Sequence, residues 1–311
     1  MPSFALATYR KSGQLLPAIV IGGNLYDLKL AAKAARVALK SEWANGGIEA
    51  IIRDWRSSAA VIKKAGPAIE KAVAAGKLKP VANGSSKSLT SPYRPQRVFC
   101  AAANYVEHVN EMATQLAAKS NSKPYMFLKL QNAIVGPGDT VRRPAETTML
   151  DWEVELAVVI GKRARRVSVD KALSFVAGYT IVNDVSARDL NKRSDYPFKF
   201  DWFQGKAHDT FCPFGPWIVP AWFVKNPNDM GLKLTVNGST MQDDNTKNMI
   251  WNVREQIAYL STIVTLEPGD VIATGTPAGV GAGRGVFLQP GDVMEASVAG
   301  IGSIRNPVAA E

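Results

Sequence analysis

The chain has 311 residues, 46% of them hydrophobic and 21% charged, a balance that supports a real core and allows two domains. Its net charge of +10 suits anionic small molecules; the basic residues are scattered apart from Lys162, Arg163, Arg165 and Arg166, which read as a solvated turn, so no nucleic-acid partner is expected. No run of about 18 apolar residues argues for a membrane span, Met1-Pro2-Ser3-Phe4 lacks the pattern of a secretory leader, and the two cysteines, Cys100 and Cys212, give no disulfide framework, so the expected compartment is the cytoplasm.

In chain order, residues 4–9 and 16–21 read as two strands around the Lys11-Ser12-Gly13 turn, and Leu28 to Leu39 reads as a helix ended near Asn45-Gly46-Gly47. Helices are predicted near 48–55 and over 58–76, the second broken at Gly66-Pro67 and closed by Gly76. The stretch 79–96 carries Pro80, Asn83-Gly84-Ser85-Ser86, Ser91-Pro92 and Pro95. It reads as a linker between a small N-terminal α+β domain, residues 1–78, and a main domain, residues 97–311.

The main domain opens on the buried strand Val98 to Ala103 and a helix starting near Tyr105. That helix places His108 and Glu111 three apart, on one face and within contact. A carboxylate bonded to an imidazole fixes its tautomer and raises its basicity, which makes a general base; an exposed helix face with ordinary polar residues explains the same pair. The polar stretch 112–124 has the composition of a mobile lid beside it. Tyr125 to Leu130 follows as a strand, with Lys129 a candidate anion contact.

Asp151 to Ile160 reads as one strand with Glu153 and Glu155 on the same face, roughly 7 Å apart along it. Val154, Leu156, Val158 and Ile160 take the other face, and Ala157 and Val159 continue the acid face as an apolar one. Two buried carboxylates need a cation or a proton; an acid face open to water at a sheet edge is the plainer reading of E-x-E alone. Gly178 to Asp184 is a second strand, with Asp184 at the end of an apolar face, and Val185 to Leu190 is expected to turn into a helix. Lys206 sits in the aromatic, Gly- and Pro-rich segment 202–217, where it faces either an anion or solvent; His208 there is assigned a structural hydrogen bond.

Three Pro-Gly-Asp turns, at 137–139, 268–270 and 290–292, read as strand-launching turns. Asn237-Gly238 marks a hairpin and Thr246 to Ser261 a helix. The glycine-rich stretch 271–285 fits neither G-x-G-x-x-G nor a P-loop, although its backbone and Thr276 can approach a ligand closely.

From about Val98 to Val308 the chain resembles the fumarylacetoacetate hydrolase superfamily. The likeness is carried by Asn104-Tyr105-x-x-His108, Phe127-Leu128-Lys129, Glu153-Val154-Glu155-Leu156, Asn183-Asp184-Val185-Ser186-Ala187-Arg188-Asp189, Gly205-Lys206, Pro213-x-Gly215-Pro216-Trp217 and Leu266 through Gly281. It implies an α+β fold: a mixed β-roll catalytic domain preceded by the small N-terminal domain, in a homodimer. It also implies a Mg²⁺ or Mn²⁺ site at Glu153, Glu155 and Asp184, a lid-borne His108–Glu111 dyad and an electrophilic Lys206, with Lys129, Arg188 and Thr276 expected to bind substrate. One departure is Ala207-His208 where Ser-Phe is commoner. The activity implied is hydrolysis of a carbon–carbon bond in a 2,4-diketo acid (an acylpyruvate, fumarylpyruvate or diketo-deoxy sugar acid). The alternative is oxaloacetate-type decarboxylation, or isomerisation or dehydration of a 2-keto acid, through an enolate.

Overall fold

The computed structural model describes residues 3–84, 87–112 and 118–311, so Ser85 and Ser86 of the expected linker and residues 113–117 of the expected lid lie outside the described residues. The chain is α+β. A 12-stranded mixed sheet forms its spine, accompanied by a five-stranded sheet and the two-stranded pair Leu150–Asp151 with Ser186–Ala187. None of the described helices is long and apolar enough to cross a membrane.

The centre of the large sheet is Val154–Ile160, every residue of which is buried. It pairs antiparallel with Val176–Asn183 on one side and with Val271–Ala273 on the other. Burial on both faces explains its unbroken apolar run past Glu155. The expected single strand from Asp151 is instead two. Leu150–Asp151 turns off to pair with Ser186–Ala187, while the Glu153 N–H leaves the ladder for the Asn183 side chain. Residues 186–187 are therefore strand, and no helix forms through Leu190. The Asp189 carboxylate closes a local turn by accepting from the Thr147 hydroxyl and the Thr148 and Leu190 N–H groups.

The N-terminal residues join this same sheet. Ala5–Lys11 pairs with Gln14–Ile21 and also with Cys212–Pro220, at Leu6 opposite Ile218. The stretch 79–96 adds two short strands. Ala82–Asn83 pairs with Asn24–Asp27, and Leu89–Thr90 pairs with Ala5–Lys11. Three helices pack over these strands, the first of them Leu28–Ala35, which ends at left-handed Arg36, short of the expected Leu39. Trp43–Arg53 is kinked at Gly47, which has φ 58°. Trp55–Ala74 runs straight through the expected break, with Pro67 inside it. Pro67 removes a helical partner from the carbonyl of exposed Lys63, which water can replace. The buried face of Trp55, Ile62, Ala65, Ile69 and Ala72 holds the helix together across that point. Gly66 is needed there because a Cβ would lie 2.0 Å from the Phe4 ring. The helix predicted from Thr246 begins only at Val253, where Asn252 and Glu255 form a capping box.

The three Pro-Gly-Asp turns share one construction. In each, the glycine takes a positive φ (82°, 96° and 99°) and the Asp carboxylate accepts from the N–H three residues earlier, at Gly136, Glu267 and Gln289. Asp270 also pairs with Arg97 and Asp292 also accepts from the Asn237 side chain, and strands follow at Val141, Val271 and Val293.

Candidate active site

Glu153 and Glu155 flank the start of the central strand, and Asp184 follows the end of its neighbour Val176–Asn183. Antiparallel pairing of Val154 with Asn183 brings the two ends together. One carboxylate oxygen from each of the three acids lies within 4.8 Å of the others, and all three residues are buried.

Three cations surround this cluster. Lys206, the last residue of the short helix Trp202–Lys206, places its ammonium 2.9 Å from Glu153 Oε2 and 2.8 Å from Asp184 Oδ2. Gly205 precedes it because any side chain there would run into Asn191. Lys129, at the end of its strand, donates to Asp184 Oδ1 at 2.5 Å and to the Val185 carbonyl. Arg188 donates from Nε to Asp151 at 2.7 Å and holds Nη2 2.5 Å from Glu153 Oε1, in an ion pair that lacks hydrogen-bond alignment. Burial works against the Lys206 charge, but Asp184 and Glu153 overcome it and hold its pKa above the ordinary lysine value. Burial likewise opposes ionisation of Glu153, yet the charges of Lys206 and Arg188 keep its carboxyl well below the usual range.

Glu155 has no such partner. It accepts one backbone bond, from Gly275 N–H at 2.7 Å, and among the described residues no ion pair. Burial, then the charges of Asp184 and Glu153, push its pKa well above the ordinary value. A fully buried carboxylate facing two others, with a single donor, fits a divalent cation. The all-oxygen donor set suits Mg²⁺ or Mn²⁺ and not zinc.

The dyad lies on the helix Val106–Glu111. His108 is buried, and its Nδ1 lies 3.4 Å from Glu111 Oε2. A proton on its ring would lower the Glu153 pKa, which puts the pair within electrostatic reach of the acids. Glu111 also accepts from Gly279 N–H at 3.0 and 3.1 Å. Burial raises its pKa, and the bonds from His108 and Gly279 outweigh that and lower it overall.

The three expected substrate contacts are brought to the same place, but each already has protein partners. The Thr276 hydroxyl donates to the Val154 carbonyl and accepts from Gln242. Lys129 and Arg188 serve the acids as described. His208 bonds the Gln204 carbonyl, and exposed Arg165 bonds the Ser261 and Thr262 carbonyls. Sequence reasoning missed Asp151. Its fully buried carboxylate accepts from Arg188 and from the Trp152, Gly281 and Ala282 N–H groups. The available signal was its place at the head of the E-x-E stretch.

The structure thus holds a buried triad of acids and a His108–Glu111 pair in an α+β chain. Residues 97–309 match the family described as fumarylacetoacetate (FAA) hydrolase, C-terminal, and the chain belongs to that family. It is 45% identical over 215 residues to a 2,4-didehydro-3-deoxy-L-rhamnonate hydrolase of Sphingomonas sp. (strain SKA58), covering 68% of this chain and 73% of the relative. It is 40% identical over 232 residues to the mitochondrial oxaloacetate tautomerase FAHD2A of Homo sapiens, covering 74% and 72%. Among solved structures it is similar to maleylpyruvate hydrolase of Sphingobium sp. SYK-6 in complex with manganese(II) and pyruvate, with a TM-score of 0.72, 28% identity, and 98% and 99% of the two chains covered.

Proposed function

We propose that this protein is a divalent-metal-dependent hydrolase. It would cleave a carbon–carbon bond in a 2,4-diketo acid, of the acylpyruvate, fumarylpyruvate or diketo-deoxy sugar acid type, giving pyruvate or a related 2-keto acid and a carboxylic acid. The observation that carries this reading is the His108–Glu111 pair held beside a buried acid triad. Glu153, Glu155 and Asp184 would hold Mg²⁺ or Mn²⁺, which supplies a Lewis acid for the 2-keto acid end of the substrate.

With Nδ1 turned to Glu111, His108 carries its basic lone pair on Nε2. There it takes a proton from water as the hydroxide adds to the distal carbonyl carbon. The charged Lys206 ammonium stabilises the oxyanion that forms. As the carbon–carbon bond breaks, its electron pair passes to the keto-acid fragment as an enolate, and His108 returns its proton to that carbon. His108→Ala should lower turnover of acetylpyruvate by about 10²- to 10⁴-fold while Mn²⁺ binding persists. Near-normal turnover in that variant would refute the assignment.

A second reading, enolate chemistry without water on oxaloacetate or a related 2-keto acid, is favoured by the similarity to oxaloacetate tautomerases. In it His108 moves a carbon-bound proton alone. Product analysis separates the two: acetate and pyruvate from acetylpyruvate mark hydrolysis, whereas keto–enol exchange or carbon dioxide release from oxaloacetate marks the second reading.

We further infer a homodimer. The edge strand Tyr125–Lys129 exposes Tyr125 and Leu128, and beside it Trp202 stacks between Phe127 and Phe200 while Phe198 and Phe203 stand 79% and 69% exposed. An aromatic band of this kind on a sheet edge suits a second copy of the chain. Phe198→Ser with Phe203→Ser should halve the mass measured by light scattering, and an unchanged mass would assign the band elsewhere.

A further inference from the structure

The glycine-rich stretch after Ala273 has no nucleotide role in the sequence, yet its N–H groups converge on carboxylates. Gly275 donates to Glu155, Gly279 to both oxygens of Glu111, and Gly281 and Ala282 to Asp151, which holds Arg188 against Glu153. One loop thus touches a candidate metal ligand, the dyad acid and the support of a second ligand.

We propose that this loop is the dock for the His108-bearing helix, with Gly279 and Gly283 as positioning residues: Gly279 N–H anchors Glu111, and Gly283 keeps open the space that Glu111 occupies. The proposal rests on the His108–Glu111 reading above. The helix is attached at two points. At its root, the Asn104 side chain donates to the Trp251 and Thr274 carbonyls and accepts from Trp251 N–H, and its carbonyl accepts from Ile250 N–H. At its far end Glu111 reaches Gly279. The root fixes where the helix starts, and the Glu111 anchor fixes how far its tip, and with it the His108 ring, leans over the triad.

Gly283 meets that anchor from the other side. A Cβ on it would lie 2.1 Å from Glu111 Cγ and 2.4 Å from Cδ. Gly283 belongs to the short helix Gly281–Arg284 and its φ is not positive, so its backbone accepts alanine. Alanine is a better helix former than glycine. The clash falls on the end of a flexible side chain, so Glu111 gives way and the fold does not. Gly279 offers no comparable test. Its φ of 103° and its closeness to the Met241 carbonyl make any side chain there disruptive for other reasons.

The experiment is Gly283→Ala, alone and combined with Glu111→Ala, in the full chain, with acetylpyruvate and oxaloacetate as substrates. Gly283→Ala should lower kcat at least tenfold with KM little changed, leave Mn²⁺ binding and the melting temperature as in the wild type, and speed hydrogen exchange in the peptide 104–112. Because the glycine acts through Glu111, the double variant should be no slower than Glu111→Ala. Wild-type kcat and exchange in Gly283→Ala, or multiplied losses in the double variant, would overturn the dock. If His108→Ala and Glu111→Ala both keep full activity, the dyad reading itself fails, and the exchange measurement still decides the dock.

Discussion

Glu153 and Glu155 stand on either side of Val154, the first residue of the central strand, and meet opposite electrostatic surroundings. On the Glu153 side the protein supplies Lys206 and Arg188, with Lys129 completing the set on Asp184. On the Glu155 side it supplies one backbone N–H. Glu153 is therefore driven to ionise and Glu155 to keep its proton. The protein compensates two of its three acids itself and leaves the third to whatever cation arrives. Selectivity for a metal over a proton then rests on Glu155 more than on the other two.

The comparison is broken most directly by two isosteric substitutions. Glu155→Gln should abolish Mn²⁺ binding measured by calorimetry and lower turnover by about 10³-fold, the loss expected when Lewis-acid assistance worth several kcal/mol disappears. Its metal-free stability should stay near wild type, since Glu155 has no cationic partner among the described residues for the substitution to remove. Glu153→Gln should do the reverse to the fold. It takes one of two carboxylate partners from each of Lys206 and Arg188, which keep Asp184 and Asp151, and should cost about 1–3 kcal/mol of unfolding free energy in urea. Equal effects of the two substitutions on metal-free stability would remove the asymmetry.

A smaller effect sharpens it through pH. A carboxyl whose pKa is raised in the folded chain stabilises that chain fully below its ordinary value of 4.5, and the contribution fades as pH rises through the folded pKa. The metal-free protein should therefore lose melting temperature as pH climbs above 4.5, and saturating Mn²⁺ should flatten the curve. Mn²⁺ binding should also release protons, the more so as pH falls, seen as a buffer-dependent heat. Loss of the Asn252 cap, which bonds neither acid, gives the baseline. Asn252→Ala should cost about 1 kcal/mol in urea without altering proton release.

The triad was legible because strand alternation is a strict geometric rule. It put Glu153 and Glu155 on one face and Asp184 at the end of another, and the fold closes the two ends on each other. The cations were half legible. Lys129, Arg188 and Lys206 could be named, but a residue's neighbours across the sheet depend on registers that no local pattern encodes, so their bonds to the acids could not. The Asp151 network was hidden for the same reason: its donors come from Arg188, Gly281 and Ala282, far along the chain. The turn residues were read correctly as structural because Pro, Gly and Asp act within three residues of one another. The helix through Pro67 went the other way, a local rule overridden by the apolar face it interrupts.

The pairing of Leu6 with Ile218 has a consequence for how the chain is made. A strand translated first finds its partner only after the segment around residue 218 leaves the ribosome, and at roughly 5–20 residues per second that is a wait of about ten seconds or more. Until then Ala5–Lys11 has Gln14–Ile21 and Leu89–Thr90 as its ladder partners among the described strands. Nascent chains stalled before and after that segment should differ sharply in protease resistance, with the N-terminal strands maturing only once it has emerged.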